Sequence, residues 1–264
     1  MTSFTKAHAC GNDFLIVEGG VDAALAVKLC ARNTGVGADG VEFLEWTDER
    51  SGRIRLVNAD GSIAEISGNG TRCVAAWMAY RKRLKAGDTV QIETDAGPRE
   101  CRVVKVDRHS FEFAQGMGVP VIADKAVKLA DGTEVAGVAV STGNPHFVIF
   151  VDGADFSVHN RNWQELGREI CFHADFPEQT NVEFVRVMDT DWIEIRIFER
   201  GVGPTTSSGT GTCATATASI ARRGLRSHLM VRAPGGDQRV DWAGDGAEIM
   251  LTGPAELIAS GEAW

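Results

Sequence analysis

Ser67-Gly68-Asn69-Gly70-Thr71-Arg72-Cys73 in the first half of the chain returns as Ser208-Gly209-Thr210-Gly211-Thr212-Cys213 in the second, 141 residues later. Each copy stands between a strand-like run and an alanine-rich helix. The same interval aligns Ile54-Arg55-Leu56-Val57-Asn58 with Ile195-Arg196-Ile197-Phe198-Glu199. The shared unit is therefore a strand, a polar residue closing it, a nine-residue step to serine, and a helix. A second echo pairs Gly11-Asn12 and Phe14-Leu15-Ile16-Val17 with Gly143-Asn144 and Phe147-Val148-Ile149-Phe150. Two long copies indicate a duplicated domain rather than a solenoid, since roughly 120 residues suffice for a core of their own. The expected domains are residues 1–118 and 119–264, with the final strands able to pack back onto the first. Two related domains usually make one cleft.

Size and composition fit that plan. The 264 residues are 44% hydrophobic and 24% charged, the profile of a soluble globular protein. No run approaches the roughly 18 apolar residues of a membrane helix, and Met1 to Lys6 leads into a strand rather than a signal peptide's apolar core, so a cytoplasmic location is expected. A net charge of −9 disfavours nucleic acid or an anionic membrane as partner. The cluster Arg81-Lys82-Arg83 with Lys85 falls at a predicted helix end, where cations complement the dipole. The six cysteines are scattered, without metal-ligand spacing, and read as reduced thiols.

Hydrophobic periodicity places helices near Val21 to Arg32, Gly70 to Leu84, Asn162 to Cys171 and Gly211 to Arg223. Short strands fill most of the rest, and Gly116 to Gly137, with Pro120 and the Ala130-Asp131-Gly132 turn, reads as a crossover. Strands outnumber helices and most connections suit antiparallel neighbours. The fold class is thus α/β of the α+β type, each half a curved, mostly antiparallel sheet around one long helix rather than a Rossmann unit. No strand–GxGxxG–helix context with an acid about 20 residues on is present.

Each serine precedes a Gly-x-Gly that opens a helix. Glycines there let a ligand approach the backbone, and the free N–H groups of the first turn attract an anion. Two such helix ends facing one another would converge on one carboxylate, with a side chain on either side of the attached carbon. Two-base racemisation requires that geometry. Serine before a helix is also ordinary N-cap chemistry. Repetition in both halves, nine residues after a polar strand end, favours the functional reading. Asn12, Asn58, Asn144 and Asn181 stand at turns or strand boundaries, and Glu199-Arg200 puts an acid beside a base. His146 is either a general base or the cap of its strand. Arg200 either grips a carboxylate bidentately or pairs with a nearby acid.

Taken together, these strings resemble the diaminopimelate epimerase family of pyridoxal-phosphate-independent amino-acid epimerases. The match runs in family order through Gly11-Asn12-Asp13-Phe14, Gly35-Val36-Gly37-Ala38-Asp39-Gly40, Asn58-Ala59-Asp60-Gly61-Ser62, Gly68-Asn69-Gly70 with Arg72-Cys73, and Gly143-Asn144-Pro145-His146. It continues through Thr180-Asn181-Val182-Glu183-Phe184, Glu199-Arg200-Gly201-Val202-Gly203, Gly209-Thr210-Gly211, Pro234-Gly235-Gly236-Asp237 and Thr252-Gly253-Pro254-Ala255-Glu256. The resemblance implies that Asn12, Asn58, Asn144, Asn181, Glu199 and Arg200 bind the polar ends of an amino-acid substrate. It implies that Gly68, Asn69, Gly209 and Thr210 hold its α-carboxylate through backbone N–H groups, with His146 and Glu199 supporting the catalytic pair. It also implies two pseudo-symmetric domains from an internal duplication, each a barrel-like, mostly antiparallel sheet around a central helix, with no cofactor, no metal, and a monomer or homodimer.

The departure lies at that pair. Family members carry cysteine, as thiolate base and thiol acid, where this chain carries Ser67 and Ser208. A thiol ionises near pH ~8.5 and more readily at a helix N-terminus, whereas a serine hydroxyl needs an adjacent base. Pro204 replaces a usual glutamate, and Gly40 a common substrate-facing glutamine. Cys73 and Cys213 read as core packing; Cys10, beside the Gly11-Asn12 turn, is the remaining thiol near the expected cleft. Three functions follow: epimerisation of L,L- to meso-diaminopimelate in lysine and peptidoglycan synthesis, isomerisation or dehydration of another amino or hydroxy acid, and amino-acid binding without turnover.

Overall fold

The computed structural model describes residues 1–64 and 66–264. In chain order the elements are β1 (Thr2–Ala9), β2 (Asn12–Glu18), α1 (Ala23–Cys30), β3 (Gly40–Asp48), β4 (Ser51–Asn58), β5 (Ile63–Ala64), α2 (Gly68–Lys82), β6 (Thr89–Thr94), β7 (Gly97–Asp107) and β8 (Ser110–Gly116). There follow β9 (Val121–Lys128), β10 (Glu134–Ser141), β11 (Pro145–Val151), α3 (Trp163–Cys171), β12 (Asn181–Asp189), β13 (Trp192–Glu199), β14 (Gly203–Thr205), α4 (Gly209–Arg223), β15 (Leu229–Ala233), β16 (Gly236–Asp241) and β17 (Met250–Ala263). Two compact units emerge: Met1–Gln115 with Thr252–Trp264, and Gly116–Leu251.

In the first unit eight strands close on themselves in the order β3-β2-β1-β17-β8-β7-β6-β4 and back to β3. Helix α2 packs against β1, β2, β3, β6 and β7 and is buried from Asn69 through Ala76. Its alanines allow that close wrapping. Val74 and Met78 join Leu44, Ile54, Val90 and Phe113 in one core. Ser67 opens α2 by accepting the Gly70 N–H at 3.0 Å, and Arg83 ends it in the left-handed region at φ 53°.

The second unit lays β9-β10-β11-β12-β13-β15-β16 side by side, with β14 on β13. Helix α4 is again buried all round, which its small residues permit. The hydroxyls this buries are satisfied locally: Thr217 donates to Cys213 O at 2.9 Å and Ser219 to Thr215 O at 2.7 Å. Parallel pairs occur in each unit where a helix carries the chain across, as in β2-α1-β3 and β11-α3-β12.

The duplication holds to the residue. Val41 pairs with Val57 as Val182 pairs with Phe198, and the pairing irregularity before Asp48 recurs before Asp189. In the parallel pairs Phe14 lies opposite Gly40, and His146 lies opposite Asn181. The repeat therefore puts Phe14 in the place of His146, Asn58 in that of Glu199, and Glu42 in that of Glu183.

Two expectations are corrected. The segment Gly116 to Gly137 is not a plain crossover but contains β9 and the start of β10. Only Val127 of β9 is buried, so that strand lacks the alternation by which strands are recognised. The expected second domain, residues 119–264, stops at Leu251, because the last strand runs on to Ala263 and Thr252–Trp264 belong to the first unit, the one onto which the final strands are expected to be able to pack. Among the described residues no helix is long and apolar enough to cross a membrane.

Candidate active site

Both repeated serines are helix N-caps with extended backbone, Ser67 at φ −123° and Ser208 at φ −147°. Each hydroxyl oxygen accepts the N–H two residues into the helix, from Gly70 at 3.0 Å and from Gly211 at 3.2 Å. The capping reading of these serines is thus met by geometry. Capping leaves the hydroxyl proton available, and both residues are partly exposed.

The second glycine of each motif has a reason the sequence did not disclose. A side-chain carbon on Gly70 would overlap Glu42 Oε1, and it would come within 3.2 Å of Ser67 Cβ. On Gly211 it would come within 2.9 Å of Glu183 Oε1 and 3.2 Å of Ser208 Cβ. Glycine at these positions makes room for a buried carboxylate beside the serine. Glu42 and Glu183 are both 0% exposed. They went unnoticed as site residues in the sequence, although their 141-residue spacing is that of the serines.

The two glutamates have different neighbours. His146, itself buried, places Nδ1 2.7 Å from Glu183 Oε1 and Nε2 3.0 Å from Asn144 Oδ1. Asn144 Nδ2 donates to Thr210 Oγ1 at 3.3 Å, which turns Oδ1 towards the ring. The ring then donates from Nε2, and Nδ1 shares a proton with Glu183. In the first unit the strand position equivalent to His146 is Phe14, and neither oxygen of Glu42 has a hydrogen-bond partner among the described residues. Burial pushes its carboxyl up to about 8. Burial also raises Glu199, to about 7, with the Glu183 charge adding to the rise and His146 opposing it.

The remaining candidates sort by unit. In the first, Asn12 Oδ1 accepts from Asn69 Nδ2 at 3.3 Å while Asn12 Nδ2 donates to Asp39 at 2.6 Å, the counterpart of the Asn144–Thr210 contact. Asn58 donates to Ser62 Oγ at 3.0 Å across the Asp60-Gly61 turn, and Gly68 opens α2. Asn69 Oδ1 receives the buried Arg72 at 2.5 Å. In the second unit Ser208 Oγ is 3.5 Å from Thr210 Oγ1, and Gly209 begins α4. Asn181 donates to Pro145 O at 3.1 Å and accepts the Arg200 N–H at 2.9 Å, so it braces the strand end that carries Glu199 and Arg200. Arg200 is exposed, and its guanidinium donates to Glu178 O at 2.8 Å.

All six cysteines are buried. Burial raises the Cys73 thiol far above its ordinary range and that of Cys101 to about 12, as befits core side chains. Cys10 holds the turn before Asn12 with φ 51°. Among the described residues no three His, Cys, Asp or Glu side chains converge as a metal site.

The chain is 38% identical to the diaminopimelate epimerase of Desulforudis audaxviator over 279 aligned residues, covering 98% of each protein. It is 35% identical to that of Acaryochloris marina, covering 98% of this chain and 97% of the other. Among solved structures, a PhzF-family phenazine biosynthesis protein of Bacillus anthracis shares the fold with a TM-score of 0.74 at 18% identity, covering 100% of this chain and 99% of that one. A hydroxyproline epimerase of Agrobacterium vitis with bound trans-4-hydroxy-L-proline does so at 0.68 and 18%, covering 98% and 91%. The sequence model of diaminopimelate epimerase matches residues 4–122 and 138–258, and with that match the chain belongs to the diaminopimelate epimerase family, a family of isomerases.

Proposed function

We propose that this protein inverts the α-carbon of an amino acid without pyridoxal phosphate, and that its substrate is diaminopimelate, converted between the L,L and meso forms. The observation that carries the reading is the doubled N-cap: one serine per unit, each at the head of a buried helix and each beside a buried carboxylate. The names of the relatives supply the substrate class.

The chemistry asks little beyond two proton carriers and a cradle for charge. Helix N-terminal N–H groups at Gly68-Asn69 and Gly209-Thr210 stabilise the α-carboxylate as the carbanion's charge spreads into it. Ser67 and Ser208 supply the pair that removes and delivers the α-proton. His146 and Glu199 support the catalytic pair, while Asn12, Asn58, Asn144, Asn181 and Arg200 bind polar groups of the substrate.

Incubation of L,L-diaminopimelate with the purified protein, followed by chiral chromatography, tests the reading. Appearance of the meso form supports it. A folded protein that binds diaminopimelate and returns it unchanged contradicts it.

A further inference from the structure

Serine is a poor base unless something next to it accepts its proton. In this chain the candidate acceptors are placed by the repeat itself. Glu42 on β3 and Glu183 on β12 occupy matching strand positions, opposite Leu56 and Ile197 respectively. Both side chains are fully buried, and the apolar cores around the two helices lie beside them. An unpartnered buried carboxyl is destabilising by several kcal/mol on general grounds, and an apolar residue would pack there without that loss. Its oxygens nevertheless lie against the first turn of the helix that the serine caps. The point a Gly70 side chain would occupy is overlapped by Glu42 Oε1 and lies 3.2 Å from Ser67 Cβ. The matching point at Gly211 lies 2.9 Å from Glu183 Oε1 and 3.3 Å from Ser208 Oγ. Neither carboxylate hydrogen-bonds its serine directly among the described residues, and a span of this size is bridged by one water.

Resting on the epimerase reading, we infer that Glu42 and Glu183 are the proton acceptors that make these serines workable, each taking the hydroxyl proton of the serine in its own unit. In the first transfer the Cα–H bond breaks and its electron pair stays on carbon, delocalised into the α-carboxylate. The proton passes to serine Oγ as the Oγ–H proton passes to the glutamate, which becomes a carboxylic acid. The donating serine runs the sequence in reverse: its hydroxyl proton forms the new Cα–H bond and its glutamic acid restores the hydroxyl. No proton is gained or lost by the pair, and exchange with solvent resets the two glutamates. Glu42 and Glu183 touch no substrate; they are positioning residues that act through Ser67 and Ser208. A cysteine, which ionises without help, has no need of them.

The test is deuterium wash-in from D2O at the α-carbon of diaminopimelate, followed by proton NMR in the full-length protein. The wild type is compared with Glu42→Gln, Glu42→Asp, Ser67→Cys and the double variant Ser67→Cys/Glu42→Gln, with thermal melting to confirm folding. Glu42→Gln is expected to slow exchange by about 10²-fold or more, and Glu42→Asp to keep a measurable part of it. In the Ser67→Cys background the same Glu42→Gln change is expected to cost less than about 10-fold, because thiolate forms on its own. The parallel set is Glu183→Gln with and without Ser208→Cys. Wild-type exchange in Glu42→Gln, or an equal loss in both backgrounds, overturns the relay while leaving the epimerase reading intact. A wild type that binds diaminopimelate without any exchange overturns both.

Discussion

His146 sits 2.7 Å from Glu183 through Nδ1, and the matching strand position of the first unit is held by Phe14. One unit therefore pairs its buried glutamate, and in the other it has no hydrogen-bond partner among the described residues. The difference predicts the effect of His146→Phe, which gives the second unit what the first already has. Removing one partner of a buried hydrogen bond and leaving the other unsatisfied typically costs about 1–3 kcal/mol. Urea unfolding at neutral pH should show a loss of that order. A loss below about 1 kcal/mol would mean that Glu183 finds another partner.

Glu42 predicts how stability depends on pH. Its folded carboxyl is raised from the ordinary 4.5 to about 8 by burial. Below pH 4.5 folded and unfolded chains both hold the proton. Between those values the unfolded chain releases it and the folded chain does not, so this group's contribution to stability falls as pH rises. Glu42→Gln removes the effect. Unfolding curves of the variant and the wild type should lie close at pH 4 and separate in favour of the variant by pH 8, by a few kcal/mol. A constant offset across that range would contradict the assignment.

Much of this was legible in the sequence. The 141-residue interval between Ser67 and Ser208 carries strands, helices and pairing register with it, because register follows which residues must face the core. The segment Val121–Lys128 was not legible, since an exposed strand shows no period of two. Glu42 and Glu183 were hidden for a related reason: within apolar runs such as Val41-Glu42-Phe43-Leu44, one acid reads as the solvent face of a strand. The folded sheet turns it inward. The turn reading of the asparagines proved too coarse, for Asn144 and Asn181 stand at strand boundaries and also fix His146 and Arg200.

The space beneath each serine predicts a reversal of the usual glycine rule. Alanine in place of glycine within a helix ordinarily stabilises by about 0.5–1 kcal/mol. At Gly70 the added carbon would overlap Glu42 Oε1, so Gly70→Ala should destabilise, by about 2 kcal/mol. Adding Glu42→Ala should recover much of that loss. Additive single and double variants in a thermal-melting cycle would show that the two positions do not interact.

Restoring thiols predicts a gain. Ser67→Cys and Ser208→Cys place groups with a far larger anionic population at two helix N-termini. The double variant should exchange the α-proton of diaminopimelate about 10²-fold faster than the wild type or more. Unchanged or slower exchange in a folded protein would mean that the surrounding carboxylates are tuned to oxygen alone.

The most direct measurement is the stereochemical course of deuterium incorporation into diaminopimelate in D2O by the wild type, Ser67→Ala and Ser208→Ala. Two serines acting as a pair predict that the wild type forms the meso isomer with deuterium at the inverted carbon. Each alanine variant should lose inversion, and each should retain residual exchange in a different one of the two stereoisomers. Inversion at the wild-type rate in either alanine variant would contradict the account.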